Sequence, residues 1–388
     1  MLRDSSERAR ITGWLKRAAL AEGFSQVGIC PAASPTSLGH FEAWLDAGYH
    51  GEMDYLSDRG DAYRDPALVL PSARSIVMLT LDYRTLEPAA AVEQRLPLGT
   101  GRVSRYAWGE RDYHDVIRER LHRLADGLRS EAPEAQTRGV VDTAPLLERD
   151  YARQAGLGWF GKNTLLLSRQ GGSWFFLAGL LTDLELDYDQ PHTTDHCGTC
   201  TACLDACPTE AFVGPRQLDA RKCISYLTIE LRSPIPQPLR GGIQDWVFGC
   251  DVCQEVCPWQ SKSRSSVVPE FEPRAEQRPL DLLPLFELDE AGFRARFRKT
   301  PIWRAHREGL LRNAAIVLGN QRDSRAIPTL IQALDDPSPL VRGACVWAIG
   351  QMPTHESRAA LEQLAARETD PHVLEELRLA LATPPDQA

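Results

Sequence analysis

Four cysteines at spacings of two, two and three, with a proline after the last, fill the stretch "CGTCTACLDACP" (197–208). A second stretch, "CDVCQEVCP" (250–258), nearly repeats it. A chain that gathers its thiols this way must fold around whatever they hold. The C-x2-C-x2-C-x3-C-P spacing lets three thiolates reach one cubane iron–sulfur cluster and turns the fourth towards another. The second run supplies Cys250, Cys253 and Cys257 with Pro258, and its first cysteine is displaced upstream to Cys223. Exchanging the fourth ligands gives two full sets for two [4Fe–4S] clusters. One is Cys197, Cys200, Cys203 and Cys257; the other is Cys223, Cys250, Cys253 and Cys207. A structural zinc site also takes thiolates, but it has no need of a doubled, crossed pattern. Clustered cysteines in a chain without an export signal point to metal rather than disulfides. Cys30 and Cys345 stand alone in apolar contexts and are expected as buried core thiols.

Two adjacent clusters form a path for single electrons, and a path needs a consumer. The chain has room for one, since 388 residues suit two or three domains. Its N-terminus, "MLRDSSERAR", is charged and has no apolar export segment. The longest apolar stretch, "WFFLAGLL" (174–181), falls far short of a membrane span. A soluble, cytoplasmic, monomeric protein with no membrane partner is expected. The net charge of −9 gives no whole-molecule attraction for nucleic acid. Between 294 and 325, however, Arg294, Arg296, Arg298, Lys299, Arg304, Arg307, Arg312, Arg322 and Arg325 are opposed only by Glu308 and Asp323. Such a run is either a solvated helical surface or a local basic face.

Residues 1–190 alternate helical and strand-like segments, which suits an α/β or α+β domain. "SIVMLTLDY" (75–83) and "WFFLAGLLT" (174–182) read as buried strands. "DYHDVIRERLHRLADGLRS" (112–130) places Val116, Ile117, Leu121, Leu124 and Leu128 at helical spacing. "GLGWFG" (156–161) fits G-x-G-x-x-G, but a dinucleotide fingerprint follows a strand and opens a helix. Here a helix over "PLLERDYARQA" is expected before the glycines and a strand over "TLLLS" after them, so they make a tight loop ending in "GKN". Asp142, in "VVDTAPLLERD", is open to two readings: a cap or dipole charge for that helix, or a catalytic acid at a strand's end.

The C-terminal part repeats. "SRAIPTLIQALDDPSPLVRGACVWAIG" (324–350) has a helix-turn-helix rhythm that returns in "SRAALEQLAARETDPHVLEELRLALA" (357–382). This is a shortened HEAT-like two-helix repeat, a scaffold that the neighbouring basic run would turn into a cradle for RNA backbone.

Together these residues resemble the epoxyqueuosine reductase family. The carriers are "SRYAWGERDYHDVIRERL" (104–121), "VVDTAPLLERDYARQAGLGWFGKNTLLL" (140–167), the paired cysteine runs, "KCISYLTIE" (222–230) and "LRNAAIVLGN" (311–320) with its repeats. The resemblance spans nearly the whole chain. It implies a multidomain protein: a cobalamin-binding α/β (α+β) catalytic domain at 1–190, a ferredoxin-type 2[4Fe–4S] domain at 191–270, and all-α HEAT-like repeats at 271–388 contacting tRNA. It implies base-off cobalamin with no protein side chain on cobalt, in keeping with the lack of a D-x-H-x-x-G motif. The substrate would be epoxyqueuosine at the wobble position of a tRNA anticodon, reduced to queuosine with electrons from a flavodoxin- or ferredoxin-like carrier.

In that scheme Asp142 protonates the departing alkoxide, its pKa raised by burial against the corrin face and the lack of a cationic partner. Ser104, Tyr106, Asp142, Lys162, Asn163, Leu166 and Ser225 would bind the cofactor, and Arg304, Arg307, Arg312 and Arg342 would contact phosphates. One departure is visible: Tyr63 stands in "AYRDP" where many relatives carry arginine, leaving Arg59 and Arg64 as neighbouring cations. The rival readings are a reductive dehalogenase-like enzyme acting on a small molecule, an iron–sulfur electron carrier, and a scaffold with structural clusters.

Overall fold

The computed structural model describes residues 5–85, 96–276 and 278–382. By compactness the chain divides into two units, and neither is continuous in sequence. One comprises Met1–Leu86, Arg111–Asp219 and Val252–Glu272; the other comprises Glu87–Glu110, Ala220–Asp251 and Pro273–Ala388. Each unit draws on three separate stretches of the chain. The reason is a long-range pairing: strand Thr100–Val103 lies between Trp246–Phe248, parallel to it, and Leu280–Asp281, antiparallel. Three distant segments are thereby drawn into one body, and the cysteine-bearing stretch is shared between the units.

The first unit is built on a four-stranded antiparallel sheet in the order Gln26–Pro31, Ser75–Asp82, Phe175–Thr182, Thr137–Val141. All eight residues of Ser75–Asp82 are buried, as befits a central strand covered on both faces. The helix Tyr113–Glu131 buries Val116, Ile117, Leu121, Leu124 and Leu128 and packs on strand Thr137–Val141. That packing fixes where the helix N-terminus meets the end of the strand. The glycines of 156–161 lead into a two-stranded ribbon, Trp159–Phe160 against Leu166–Leu167, and open no helix. A Cβ on Gly158 would meet the Leu167 carbonyl oxygen at 2.1 Å, so the ribbon itself demands a glycine there.

The second unit is mainly helical. His306–Gln321 and Pro339–Gly350 pack together, and Pro339–Gly350 also packs on Pro371–Leu381, with His355–Ala365 beside them. Asp370 caps the last of these helices, accepting from His372 N and Val373 N. Among the described residues no helix is long and apolar enough to cross a membrane.

Candidate functional site

In the first unit Cys197, Cys200, Cys203 and Cys257 line one cavity of about 190 Å³, together with Lys162, Asn163, Leu167, His196 and Trp259. Cys207 is not among its walls, so the fourth thiol comes from the second run. The "GKN" turn holds the loops in place. Lys162 Nζ donates to the carbonyls of Gly198 (2.7 Å) and Cys200 (2.9 Å), and Asn163 Nδ2 donates to that of Cys253 (3.2 Å). Burial, and the charge of neighbouring thiols, push Cys203 and Cys257 up. Four thiolates side by side therefore call for a compensating cationic centre. Among the described residues no three His, Cys, Asp or Glu converge as ligands of a single ion. Cys30 and Cys345 are buried. Of the second expected set, Cys207 and Cys253 belong to the first unit, Cys223 and Cys250 to the second.

Asp142 follows directly on strand Thr137–Val141. The next helix begins at Glu148 with Leu147 as its N-cap, so Asp142 does not cap it. Its Oδ1 lies 2.6 Å from His114 Nε2, and the Tyr113 hydroxyl donates to Oδ2. Asp112, the N-cap of helix Tyr113–Glu131, accepts from His114 N at 2.9 Å and holds the ring Nδ1 at 2.6 Å. An imidazole with a carboxylate on each nitrogen is a donor at both. Burial lowers the His114 pKa, but the bonds to Asp112 and Asp142 outweigh it and push it up to about 9. Burial raises Asp112, and its bonds to His114 overcome that and leave it lowered.

This corrects the expected environment of Asp142. The structure gives it a cationic partner, so the proton of the pair resides on His114 rather than on an isolated carboxyl. Asp112, Tyr113 and His114 were missed as site residues, although "DYH" lies within the stretch that carries the resemblance. Glu148 was missed too. Its Oε1 is buried without a hydrogen-bond partner among the described residues, and burial, then the charge of Asp142, push it up to about 8.

The other expected cofactor residues are divided. Lys162 and Asn163 are spent on the cysteine loops, as described, and Leu166 is a core side chain, 3% exposed. In the second unit the Ser104 hydroxyl donates to Asp251, the Tyr106 ring packs 6.1 Å from that of Phe248, and Ser225 lies in helix Ile224–Ile229. Tyr63 is buried against Phe41, Arg59 donates to the Thr143 carbonyl (3.2 Å), and Arg64 pairs with Glu42.

The four arginines expected on phosphates are committed elsewhere. Arg312 is 1% exposed and donates to the carbonyls of Leu227, Leu231 and Ser233 and to Asn313 Oδ1. Arg307 is buried against Asp336 and the Leu288 carbonyl. Arg342 forks onto Glu368, and Arg304, though half exposed, forks onto Glu230. Burial and saturation by protein acceptors rule out Arg307 and Arg312 as backbone readers. Exposed cations in the same run are Arg294, Arg298, Lys299 and Arg322. The Arg294 guanidinium lies over the Trp303 ring at 5.9 Å.

Comparison with known proteins follows the same outline. A family model described as epoxyqueuosine reductase QueG matches residues 64–143, and one described as a 4Fe-4S double cluster binding domain matches 196–260. An epoxyqueuosine reductase of Pseudomonas aeruginosa is 45% identical over 328 residues, covering 84% of this chain and 90% of that protein. The chain belongs to the epoxyqueuosine reductase family. The Escherichia coli reductase is 40% identical over 337 residues, 87% of this chain and 88% of that one. A solved epoxyqueuosine reductase with a tRNA-Tyr stem loop carrying epoxyqueuosine superimposes with a TM-score of 0.89 at 32% identity, covering 96% and 98% of the two chains. The Streptococcus thermophilus structure gives 0.84 at 28% identity, covering 96% and 99%. HEAT repeats match residues 305–382.

Proposed function

We propose that this chain reduces epoxyqueuosine to queuosine at the wobble position of tRNA, with two [4Fe–4S] clusters and cobalamin as its cofactors. The observation that carries the reading is the presence, in one unit, of a four-thiol cavity and a proton-holding Asp142–His114 pair. Removing an epoxide oxygen to leave an alkene takes up two electrons and two protons, and this unit has places for both. The thiols fit an iron–sulfur cluster by number and spacing. For cobalamin the support is chemical: Asp142 is half exposed, and Glu148 Oε1, on which its charge acts, is a buried polar atom with no hydrogen-bond partner among the described residues. A wall completed by a bound group leaves such an atom. Cobalamin, when bound, supplies the strongly reducing centre.

The chain's own residues manage the proton. His114 keeps it at Nε2, and Asp142 Oδ1 presents it to the oxygen leaving the substrate carbon, a positioned transfer typically worth about 10²–10⁴ in rate. Tyr113 and Asp112 fix the two partners in register. Electrons come from an external one-electron carrier of flavodoxin or ferredoxin type, and the chain acts as a cytoplasmic monomer. Arg294, Arg298, Lys299 and Arg322 are the cations offered to RNA phosphates, in place of the four buried or paired arginines. The test is the nucleoside content of tRNA from cells lacking the chain. Epoxyqueuosine should accumulate and queuosine disappear, with recovery on re-expression; an unchanged ratio refutes the proposal.

A further inference from the structure

We propose that the face beside the cavity of Cys197, Cys200, Cys203 and Cys257, edged by Arg169, Lys262 and Arg264, is where an acidic one-electron carrier protein docks. The inference rests on the reaction proposed above and adds where its electrons come in. Each encounter oxidises the carrier by one electron, which the thiol-held cluster takes up, and two encounters supply the two electrons of the reaction. Such a transfer weakens steeply with distance, so the carrier must seat close to a thiol that reaches solvent. Cys200 is that thiol: it is exposed, whereas Cys197, Cys203 and Cys257 are partly covered. Pro258, also exposed, lines the same cavity.

The wall of the cavity continues into a frame of rings. His196 and Trp259 line it, and the Trp259 indole N–H donates to the His196 carbonyl at 3.3 Å. Trp159, 3% exposed, stands edge-on to both, with ring centroids 4.8 and 4.9 Å away, and stacks on His192 at 5.5 Å. Rings packed in this way hold the surface rigid, which lowers the ordering cost of docking.

The frame carries the cations. Arg169 donates from Nε and Nη2 to His196 Nε2, at 3.2 and 2.9 Å. The Lys262 ammonium lies over the Trp259 ring, 4.4 Å from its centroid. Arg264 donates to Oε1 of Gln170, the neighbour of Arg169, at 3.2 Å. All three cations are exposed, and none of them is ion-paired among the described residues. Two exposed carboxylates of the cysteine loops are held elsewhere, Asp195 by Arg216 and Asp205 by the Thr201 hydroxyl. On a chain of net charge −9 this patch is a local attraction that steers an anionic surface to one thiol. RNA is anionic too, but reading its loops takes open rings on which bases stack. Here Trp159 is buried and Lys262 covers the Trp259 ring.

The experiment uses the cluster-loaded full chain without tRNA, with an acidic flavodoxin and an acidic plant-type ferredoxin as probes. Calorimetry follows binding, and stopped-flow bleaching of the cluster absorbance follows electron entry, at low and at high salt. The triple variant Arg169→Gln, Lys262→Gln, Arg264→Gln should associate with a probe about 10- to 100-fold more slowly at low salt. The gap should close as salt is raised. Iron content should match wild type, as should bleaching by dithionite, a small reductant that needs no docking. A wild-type chain that binds neither probe overturns the proposal, and so does a triple variant that takes their electrons as fast as wild type. Lys262→Glu with Arg264→Glu leaves the Arg169–His196 bonds in place and should lose at least as much; this double variant decides the matter if the Arg169 change costs iron. A loss confined to variants of Arg169 would mean that Arg169 only positions His196, and overturns the docking face. Weaker binding of an anticodon stem-loop, with carrier binding unchanged, would assign the patch to RNA instead. The reaction reading fails separately: a chain that takes electrons at this face and makes no queuosine loses that reading and keeps the docking face.

Discussion

Replacing His114 by glutamine removes the one side chain that sees a carboxylate at each ring nitrogen, and its cost has a definite pH dependence. The folded pKa of about 9 stands about 2.5 units above the ordinary 6.5, worth about 3 kcal/mol at about 1.4 kcal/mol per unit. The Asp142 side chain is 49% exposed, so solvent screening trims this to about 2 kcal/mol. Because the folded value is raised, the stabilisation is fully present below pH 6.5 and is lost as pH rises through 9. The assay is denaturant unfolding of wild type and His114→Gln under anaerobic conditions, taking the difference at each pH so that other groups cancel. That difference should be about 2 kcal/mol near pH 6, shrink through the window, and vanish by about pH 10. Imidazole NMR of the folded chain should show both ring nitrogens protonated at pH 7. A difference that is flat, or that grows with pH, would refute the account of His114 as an imidazolium held between two carboxylates.

Three other outcomes are expected. Asp142→Asn should keep its clusters and lose about 10²–10⁴ in turnover; activity within about threefold of wild type at neutral pH would leave Asp142 no role in proton transfer. Cys257→Ala should strip iron from the Cys197, Cys200 and Cys203 cluster while Cys207→Ala spares it, as iron content and spectra would report; damage to that cluster by Cys207→Ala would sink the grouping. Arg312→Met should cost at least about 2 kcal/mol by orphaning the buried carbonyls of Leu227 and Leu231, whereas neutralising Arg294, Arg298 and Lys299 should leave stability intact and flatten the salt dependence of anticodon stem-loop binding by about 2 in slope; an unchanged slope would make that face merely solvated.

What could be read in the sequence was what short spacing decides. The cysteine runs are local, and the cavity uses Cys197, Cys200, Cys203 and Cys257 from both of them. The strands at 75–82 and 175–182 were legible because their apolar runs are continuous. The interleaving of the two units was not, because the pairing of Thr100–Val103 with Trp246–Phe248 joins residues with no local signal in common. The arginines misled for a related reason. A basic run gives charge but not direction, and in "LLRNAAIVLGN" the apolar neighbours of Arg312 were the better guide to its burial. Asp142 was found by its surroundings in sequence. Its chemistry was not, since the groups that set it come from a helix start about thirty residues earlier and from a carboxyl read only as part of a helix.

The two kinds of cargo in the proposed reaction place different demands on the fold, and the first unit meets them with different materials. Electrons need soft ligands at fixed spacing, and the cysteine loops provide these through backbone bonds from Lys162 and Asn163. Protons need groups whose affinities lie above the working pH and in the right order. His114 at about 9 and Glu148 at about 8 are raised by opposite causes, the first by anionic partners and the second by burial. A single substitution therefore cannot empty both by the same route. Asp142 touches one and acts electrostatically on the other, so losing its charge should lower both affinities. Asp142→Asn thus removes the group that His114 holds and lowers both affinities. It should cut turnover more deeply than His114→Gln, and adding His114→Gln to it should cost little more. An Asp142→Asn enzyme that still responds to His114→Gln as strongly as wild type does would mean that the proton reaches the substrate by a path that avoids Asp142.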